Sequence, residues 1–281
     1  MSDTDRDARL RTARSSPQIA NRHDEAAWLA LYTDDAVVED PFGTPECRRG
    51  GRSARRGGRG GRDDLQRFYA AFIAPTSIRV EERLDVVVRD TVVRDVVLHV
   101  VLPGGGRASI PAFLEYDLDA SNGALRVRRM RAYWDARRNG RAMMAQGLRG
   151  KLTSLLSAAR LVRHFGRDWT RRYVEGTRRG IRREGPAMVR ELVSALAAQD
   201  RGALDAVATP DATLVLPGAA PRPLADAGPL QLEVHEPICA GFTCVARCRT
   251  RTAAGEVEGV AFVEVDPSSK RVARLRLFWE G

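Results

Sequence analysis

Apolar and polar positions alternate with period two in four consecutive segments: Ser77 to Arg89, Thr91 to Leu102, Ala108 to Asp119 and Ala124 to Trp134. Each predicts a strand with one buried face, and Gly104-Gly105-Gly106 and Ser121-Asn122-Gly123 predict hairpin turns between them. Ahead of the strands the period changes. A short helix is expected over Pro17 to His23, with Ser15 or Ser16 as its cap and Pro17 in its first turn. A second is expected over Glu25 to Tyr32, and a third from Asp63 or Asp64 to near Ile73. Between them "YTDDAVVEDPFG", residues 32 to 43, alternates like a strand and ends on Glu39, Asp40 and Pro41. In an extended chain Val38 and Asp40 share one face while Glu39 joins Val37 on the other. One of the two carboxylates therefore points to the side that should be core. Helices first, then an antiparallel sheet, predict an α+β fold: a cone whose helices cover one face of a curved sheet and leave an apolar mouth.

The same order recurs. "YTDDAVVEDPFG" aligns with "ATPDATLVLPGA" at 208 to 219: Asp35-Ala36 falls on Asp211-Ala212 and Pro41 on Pro217. "LRVRRMRAYWDA" aligns with the terminal "VARLRLFWEG", so Trp134 falls on Trp279 and Arg131 on Arg276. The chain thus reads as a tandem duplication. Three parts are expected: a first cone at 1–136, a helical connector at 137–185 and a shorter second copy at 186–281. In the second copy Leu216 stands where the first has Asp40. Glu236 has no evident companion, so this copy reads as structural.

Composition narrows the function classes. The 281 residues are 43% hydrophobic, enough for a sizeable core, and no apolar run is long enough to span a membrane. The opening "MSDTDRDARLRTARSS" lacks the apolar stretch of a secretory signal. The four cysteines, Cys47, Cys239, Cys244 and Cys248, show no CxxC pair and no His cluster. That spacing argues against zinc and for reduced thiols in a cytoplasmic protein. Net charge is +10, but it is carried in two segments, and all of the basic residues except Lys151 and Lys270 are arginine. One segment is "RRGGRSARRGGRGGR", residues 48 to 62, which cannot bury apolar area and reads as a surface loop. Without interleaved aromatics to stack on bases it is a poor RNA ligand, and a nucleic-acid partner is not expected. The other is the connector. There Leu152, Leu155, Leu156, Ala159 and Val162 form an apolar helical stripe flanked by arginines, continued by Trp169 and Tyr173. Such a stripe can pack between domains, or lie on an anionic membrane through 149–183.

The segment "LYTDDAVVEDPFG…GRDDLQRFYAAF" resembles the nuclear transport factor 2-like superfamily, and within it the ketosteroid isomerases and SnoaL-like polyketide cyclases. The resemblance covers roughly residues 15 to 135 and, more faintly, 186 to 281. It implies a general base at Asp40 and a hydrogen-bonding tyrosine at Tyr69, in a cavity that needs no metal or cofactor. It also implies an intramolecular pseudo-dimer of the two copies. The family's oxyanion-hole positions are not matched here: one falls near Ser16, the other near Leu114. Ile110, Ala112, Leu114, Tyr116 and Leu118 share a strand face, so Glu115 should point away. Tyr69 or Tyr116 is then left to supply the donor.

On the strand 77 to 89, Glu82 is in phase with Ile78, Val80, Leu84 and Val86. It faces either the cavity, where with Asp40 it would make an acid–base pair able to open an epoxide or close a ring, or a subunit contact or solvent. His99 reads as a sheet residue or a cavity residue, and Trp134 and Met130 complete the expected substrate-binding set with Leu114, Tyr116 and His99. The expected function is an acid–base isomerase or cyclase acting on a small hydrophobic, oxygenated substrate such as a steroid or polyketide. Its rivals are an epoxide-opening hydrolase or cyclase using Asp40 and Glu82, a non-catalytic binder of hydrophobic ligands, and a scaffold using the arginine segments.

Overall fold

The computed structural model describes residues 2–50, 63–121, 123–252 and 255–280. Most of the arginine–glycine run, and Asn122 of the expected turn, lie outside the described residues. The chain divides into two compact units. One comprises Met1–Asp85 and Asp90–Arg178, the other Val86–Arg89 and Arg179–Gly281.

The first unit opens with α1 (Asp3–Asn21) and α2 (Glu25–Ala30). Helix α1 begins well before the expected Pro17. Ser2 caps it by accepting from the Asp5 amide, and Pro17 sits inside the helix rather than in its first turn. The burial of Leu10, Ala13, Ser16 and Ala20 along one face holds the helix through the hydrogen bond that proline removes. Helix α2 stops at Ala30 instead of reaching Tyr32, which starts β1 (Tyr32–Glu39); β2 is Cys47–Arg48. Asp63 makes a reciprocal capping box with Gln66 at the start of α3 (Asp64–Phe68), which runs into a π-helical turn over Tyr69–Ile73. Strands β3 (Ser77–Val88), β4 (Thr91–Val101), β5 (Arg107–Asp119) and β6 (Arg126–Tyr133) follow, within two residues of their expected bounds. Their sheet has the order β2-β1-β6-β5-β4-β3, and β1 and β6 run parallel. The expected α+β class is found, with a mixed rather than a purely antiparallel sheet.

Five helices join the two sheets: α4 (Ala136–Met144), α5 (Leu148–Phe165), α6 (Arg167–Arg178), α7 (Gly185–Ala198) and α8 (Arg201–Val207). Of these, α4 to α6 group with the first unit. The second unit continues through β7 (Ala208–Val215), β8 (Arg222–Pro223), β9 (Leu232–Val234), β10 (Ile238–Ala240), β11 (Thr243–Thr252), β12 (Gly255–Val265) and β13 (Val272–Trp279). Read from β8, its sheet order is β8-β7-β13-β12-β11-β10, strand for strand that of the first unit, with β9 also on β11.

The duplication holds residue by residue. In the first unit Tyr32 pairs with Val127 and, after a register shift, Val38 with Met130 and Glu39 with Arg131. In the second, Ala208 pairs with Val272 and, after a shift at the same place, Leu214 with Leu275 and Val215 with Arg276. Asp24 and Asp200 cap the equivalent helices α2 and α8. The residues before them, His23 and Gln199, both take left-handed φ, at 55° and 53°. The two sheets therefore share one topology and one register plan.

The cysteine expectation is corrected for two of the four. Cys239 and Cys244 are joined by a disulfide, and Cys47 and Cys248 are free and buried. The pair face each other across the tight β10–β11 hairpin, a proximity set by strand register that spacing alone does not reveal.

Helix α6 is held close to the loop that follows β1. A Cβ at Gly176 would lie 2.6 Å from the Gly43 carbonyl oxygen and 3.0 Å from Thr44 Cα. Gly176→Ala should therefore push α6 off that loop and cost roughly 1–3 kcal/mol, as overpacking typically does. The check is a lowered thermal midpoint together with faster proteolysis within 166–178.

Candidate active site

Strand β1 ends at Glu39 and delivers Asp40 one residue beyond it; the Asp40–Pro41 peptide is cis. Strand β6 ends at Tyr133 and delivers Trp134. Because β1 and β6 are parallel, their C-terminal ends lie side by side, and residues 94 apart in sequence meet. The Phe42 amide donates to the Ala132 carbonyl at 2.7 Å and fixes that junction. The Trp134 Nε1–H donates to Asp40 Oδ1 at 2.6 Å.

Both side chains line a cavity of about 430 Å³. Its floor comes from Leu114 and Tyr116 of β5 and Met130 of β6. Its sides come from Ser16 and Ala20 of α1, Trp28 of α2, and Phe68 and Phe72 of the third helix and its π turn. The remaining wall comes from α4 to α6, through Met143, Thr153, Ser157, Arg160, Leu161 and Tyr173. The ring contacts continue from wall to core: Phe165 on Trp169 at 3.8 Å, Trp169 on Tyr173 at 5.4 Å, Tyr173 on Phe72 at 5.5 Å and Phe72 on Phe68 at 4.9 Å.

Removal from water raises the Asp40 carboxyl from 3.8 to about 6, opposed by the Trp134 hydrogen bond, which favours the ionised form. Three phenols face this carboxyl electrostatically. Tyr116 is pushed up to about 12, chiefly by burial; Arg94 pulls the other way and Asp40 adds to the rise. Tyr32 and Tyr173 are raised as well, again first by burial. All three therefore stay protonated and can donate. Ser16 lies beside the Tyr32 and Tyr116 hydroxyls.

The structure places the expected residues as follows. Asp40, Leu114, Tyr116, Met130 and Trp134 come together at the cavity. Tyr69 does not reach it. The helical phase puts Phe68, Ala71 and Phe72 on the cavity side, while Tyr69 is buried against Trp28 at 5.5 Å. Its hydroxyl has no partner among the described residues. Glu82 is also elsewhere: it accepts from Arg94 at 2.6 Å and pairs with Arg14 at 3.1 Å, in a cluster completed by Asp85. An arginine fully enclosed in the sheet needs carboxylate partners, and Glu82 and Asp85 supply them. Strand alternation puts Leu98 and Val100 at the cavity and turns His99 to a separate, open groove. There His99 meets Glu81 and Ser109, each at 3.0 Å. Glu115 points away from the cavity, as its strand phase requires, and accepts from Arg131 and the Tyr133 hydroxyl at 2.8 Å.

Sequence reasoning missed Ser16 and Tyr173 as cavity-lining groups and Tyr32 as a phenol in the field of Asp40. Trp169 and Tyr173, four residues apart, continued an apolar helical pattern, which did not show what that face would meet. Among the described residues no group of three or more His, Cys, Asp or Glu side chains converges on a metal-sized site.

The sequence profile of the SnoaL-like domain matches residues 13–126. The first unit carries a SnoaL-like domain. Solved structures similar to this chain include RV0760c from Mycobacterium tuberculosis in complex with estradiol-17beta-hemisuccinate, 26% identical, covering 46% of this chain and 94% of its own at a TM-score of 0.36. Delta 5-3-ketosteroid isomerase from Mycobacterium sp. is 27% identical, covering 44% and 91% at 0.35. The epoxide hydrolase/cyclase-like enzyme SalBIII, described in pyran ring formation in the polyether salinomycin, is 18% identical, covering 49% and 96% at 0.38. No curated protein matches the sequence.

In the second unit Leu216 follows β7 where Asp40 follows β1 in the first. Leu216 packs against a core that includes Leu192, Leu214, Leu224 and Leu275.

The raised Asp40 pKa has a consequence for stability. The folded state keeps this proton where the unfolded chain has already lost it. The resulting penalty is absent below the ordinary value of 3.8, grows as pH rises towards about 6, and is constant above. Asp40→Asn should therefore stabilise the protein at neutral pH by roughly 1–3 kcal/mol, and the advantage should vanish in acid. Thermal melts of both proteins across that pH range measure it.

Proposed function

We propose that the first unit is a cofactor-independent acid–base enzyme, an isomerase or cyclase, with Asp40 as its base. The observation that carries this reading is a half-buried carboxylate, held by one indole N–H, at the wall of a largely apolar cavity of about 430 Å³. A carboxylate so poorly solvated is a stronger base than one in water, and with a pKa near 6 it is still ionised at neutral pH. The cavity volume and its aromatic and aliphatic lining suit a rigid, oxygenated polycycle such as a steroid or an aromatic polyketide.

Abstraction next to a carbonyl breaks a C–H bond, passes the proton to Asp40 and leaves the electron pair on the carbonyl oxygen as an enolate. That oxygen needs a donor. Tyr116 fills this role in the proposal: it lines the cavity, stays protonated, and its acidity is assisted by the Arg94 guanidinium. Protonated Asp40 then returns the proton to another carbon of the conjugated system, or the enolate carbon attacks a second carbonyl carbon of the substrate to close a ring, and that carbonyl's π electron pair moves to its oxygen, which takes the proton from Asp40. Glu82 has no part in this reading, because its ion pairs with Arg14 and Arg94 occupy it away from the cavity. The second unit, with Leu216 in place of the base, is read as catalytically silent.

The test is turnover of a Δ5-3-ketosteroid, and of a panel of polyketide ketones, monitored by the absorbance of the conjugated product. Asp40→Asn should abolish turnover while the ligand dissociation constant stays within a few-fold of the parent value. Retained turnover in Asp40→Asn would sink the proposal. Tyr116→Phe should lower kcat about 10²–10³-fold, the usual loss of an oxyanion donor. The profile of kcat/KM should rise with pH to a plateau with an apparent pKa near 6. Trp134→Phe, which removes the bond favouring the ionised form, should move that midpoint upward.

A further inference from the structure

Helix α5 is turned inside out relative to an ordinary surface helix. Its polar face, carrying Thr153, Ser157 and Arg160, forms cavity wall. Leu148, Leu152, Leu155 and Val162, spaced four, three and seven residues apart, form one stripe on the opposite face. These four are 85%, 49%, 66% and 39% exposed. Met144 of α4 and Val174 of α6 are exposed as well, so among the described residues every large exposed hydrophobic side chain except Val101 lies in α4 to α6. Of the stripe expected from the sequence, Leu152, Leu155 and Val162 are thus exposed and Leu156 is half-buried. The cavity takes the polar face of α5, and the apolar face is left to solvent.

The charges beside the stripe select its partner. Arg149 and Lys151 flank it at one end and Arg163 and Arg167 at the other, all exposed. From Ala136 to Arg167 the chain contains no Asp or Glu. A second copy docked on this face would bring like charges together, whereas an anionic surface would satisfy the arginines while the leucines enter it. A helix of this length spans about 27 Å lying flat, and among the described residues no helix is long and apolar enough to cross a bilayer.

We propose that α5 docks this protein on the surface of anionic lipid bilayers, with Leu148, Leu152, Leu155 and Val162 in the acyl boundary and Arg149, Lys151 and Arg163 at the headgroups. The same helix then separates the bilayer from the cavity. An apolar substrate dissolved in the membrane would reach the Asp40 site past α5 without crossing open water. Docking stands independently of the proposed chemistry; only the route of the substrate rests on it.

The experiment is co-sedimentation of the full chain with vesicles of phosphatidylcholine mixed with phosphatidylglycerol, against vesicles of phosphatidylcholine alone, at low and high salt. Binding to the anionic vesicles, weakened by salt, is expected. Leu152→Asp with Leu155→Asp should weaken it at least about tenfold, and Arg149→Glu with Lys151→Glu by a similar factor. Both pairs are on the surface, and unchanged thermal midpoints confirm that they fold. The proposal is overturned if the parent protein binds neither vesicle, or if the leucine variant binds as the parent does. It is equally overturned if size-exclusion chromatography shows a concentration-dependent dimer that the leucine variant abolishes, since the stripe is then a self-association face. Loss of turnover in Asp40→Asn with vesicle binding intact separates this inference from the catalytic one.

Discussion

A single carboxylate held away from water is the constraint around which the first unit is built. Ionised Asp40 is offered the hydrogen bond of the Trp134 indole against the cost of burial. That bond exists only because β1 and β6 are parallel neighbours whose ends coincide. The phenols of Tyr32, Tyr116 and Tyr173 lie within the field of the same charge and are kept protonated by burial and by that field. A site of this kind trades stability for basicity: the poor solvation that would make Asp40 a competent base also works against its ionisation in the fold.

The second unit shows the same plan with the constraint removed. Strand order, the register shift in the β1-type strand and the left-handed residue before the short helix are all reproduced. Even the ion pair across neighbouring strands recurs, as Arg131 with Asp117 in one unit and Arg276 with Glu264 in the other. At the base position stands Leu216, part of a continuous hydrophobic cluster. Without a charge to place, the interior can close: after an equally short edge strand, α3 and its π turn, which frame the cavity in the first unit, are replaced by a single 3-10 turn over Leu224–Asp226.

Helices α4 to α6 show how a segment's role can invert between sequence and structure. A leucine stripe on a helix normally reports a buried face. Here the neighbour of α5 is a cavity, and what it receives from the helix is hydroxyls, a guanidinium and one leucine. Burial in this segment instead falls on Phe165, Trp169 and Gly176, where aromatic stacking and close backbone approach hold α6 near Asp40.

Much of the architecture was legible in the sequence by itself. Strands β3 to β6, a cap at Asp63 or Asp64 for α3, the inward Leu114 and Tyr116 with outward Glu115, and Asp40 at the end of β1 follow from local rules of period and capping, which act over a few residues; the repeat follows from comparing the chain with itself. What only the tertiary structure decided depends on contacts between distant elements. The partner of Asp40 is Trp134 because two parallel strands align their ends. Tyr69 turns to Trp28 because a π-helical turn follows α3, and Glu82 is claimed by Arg94 from the adjoining strand. Tyr173 joins the site, and Cys239 and Cys244 join each other, through folding that no local pattern encodes. Periodicity tells which side of an element is different from the other; what stands opposite that side is a property of the assembled fold.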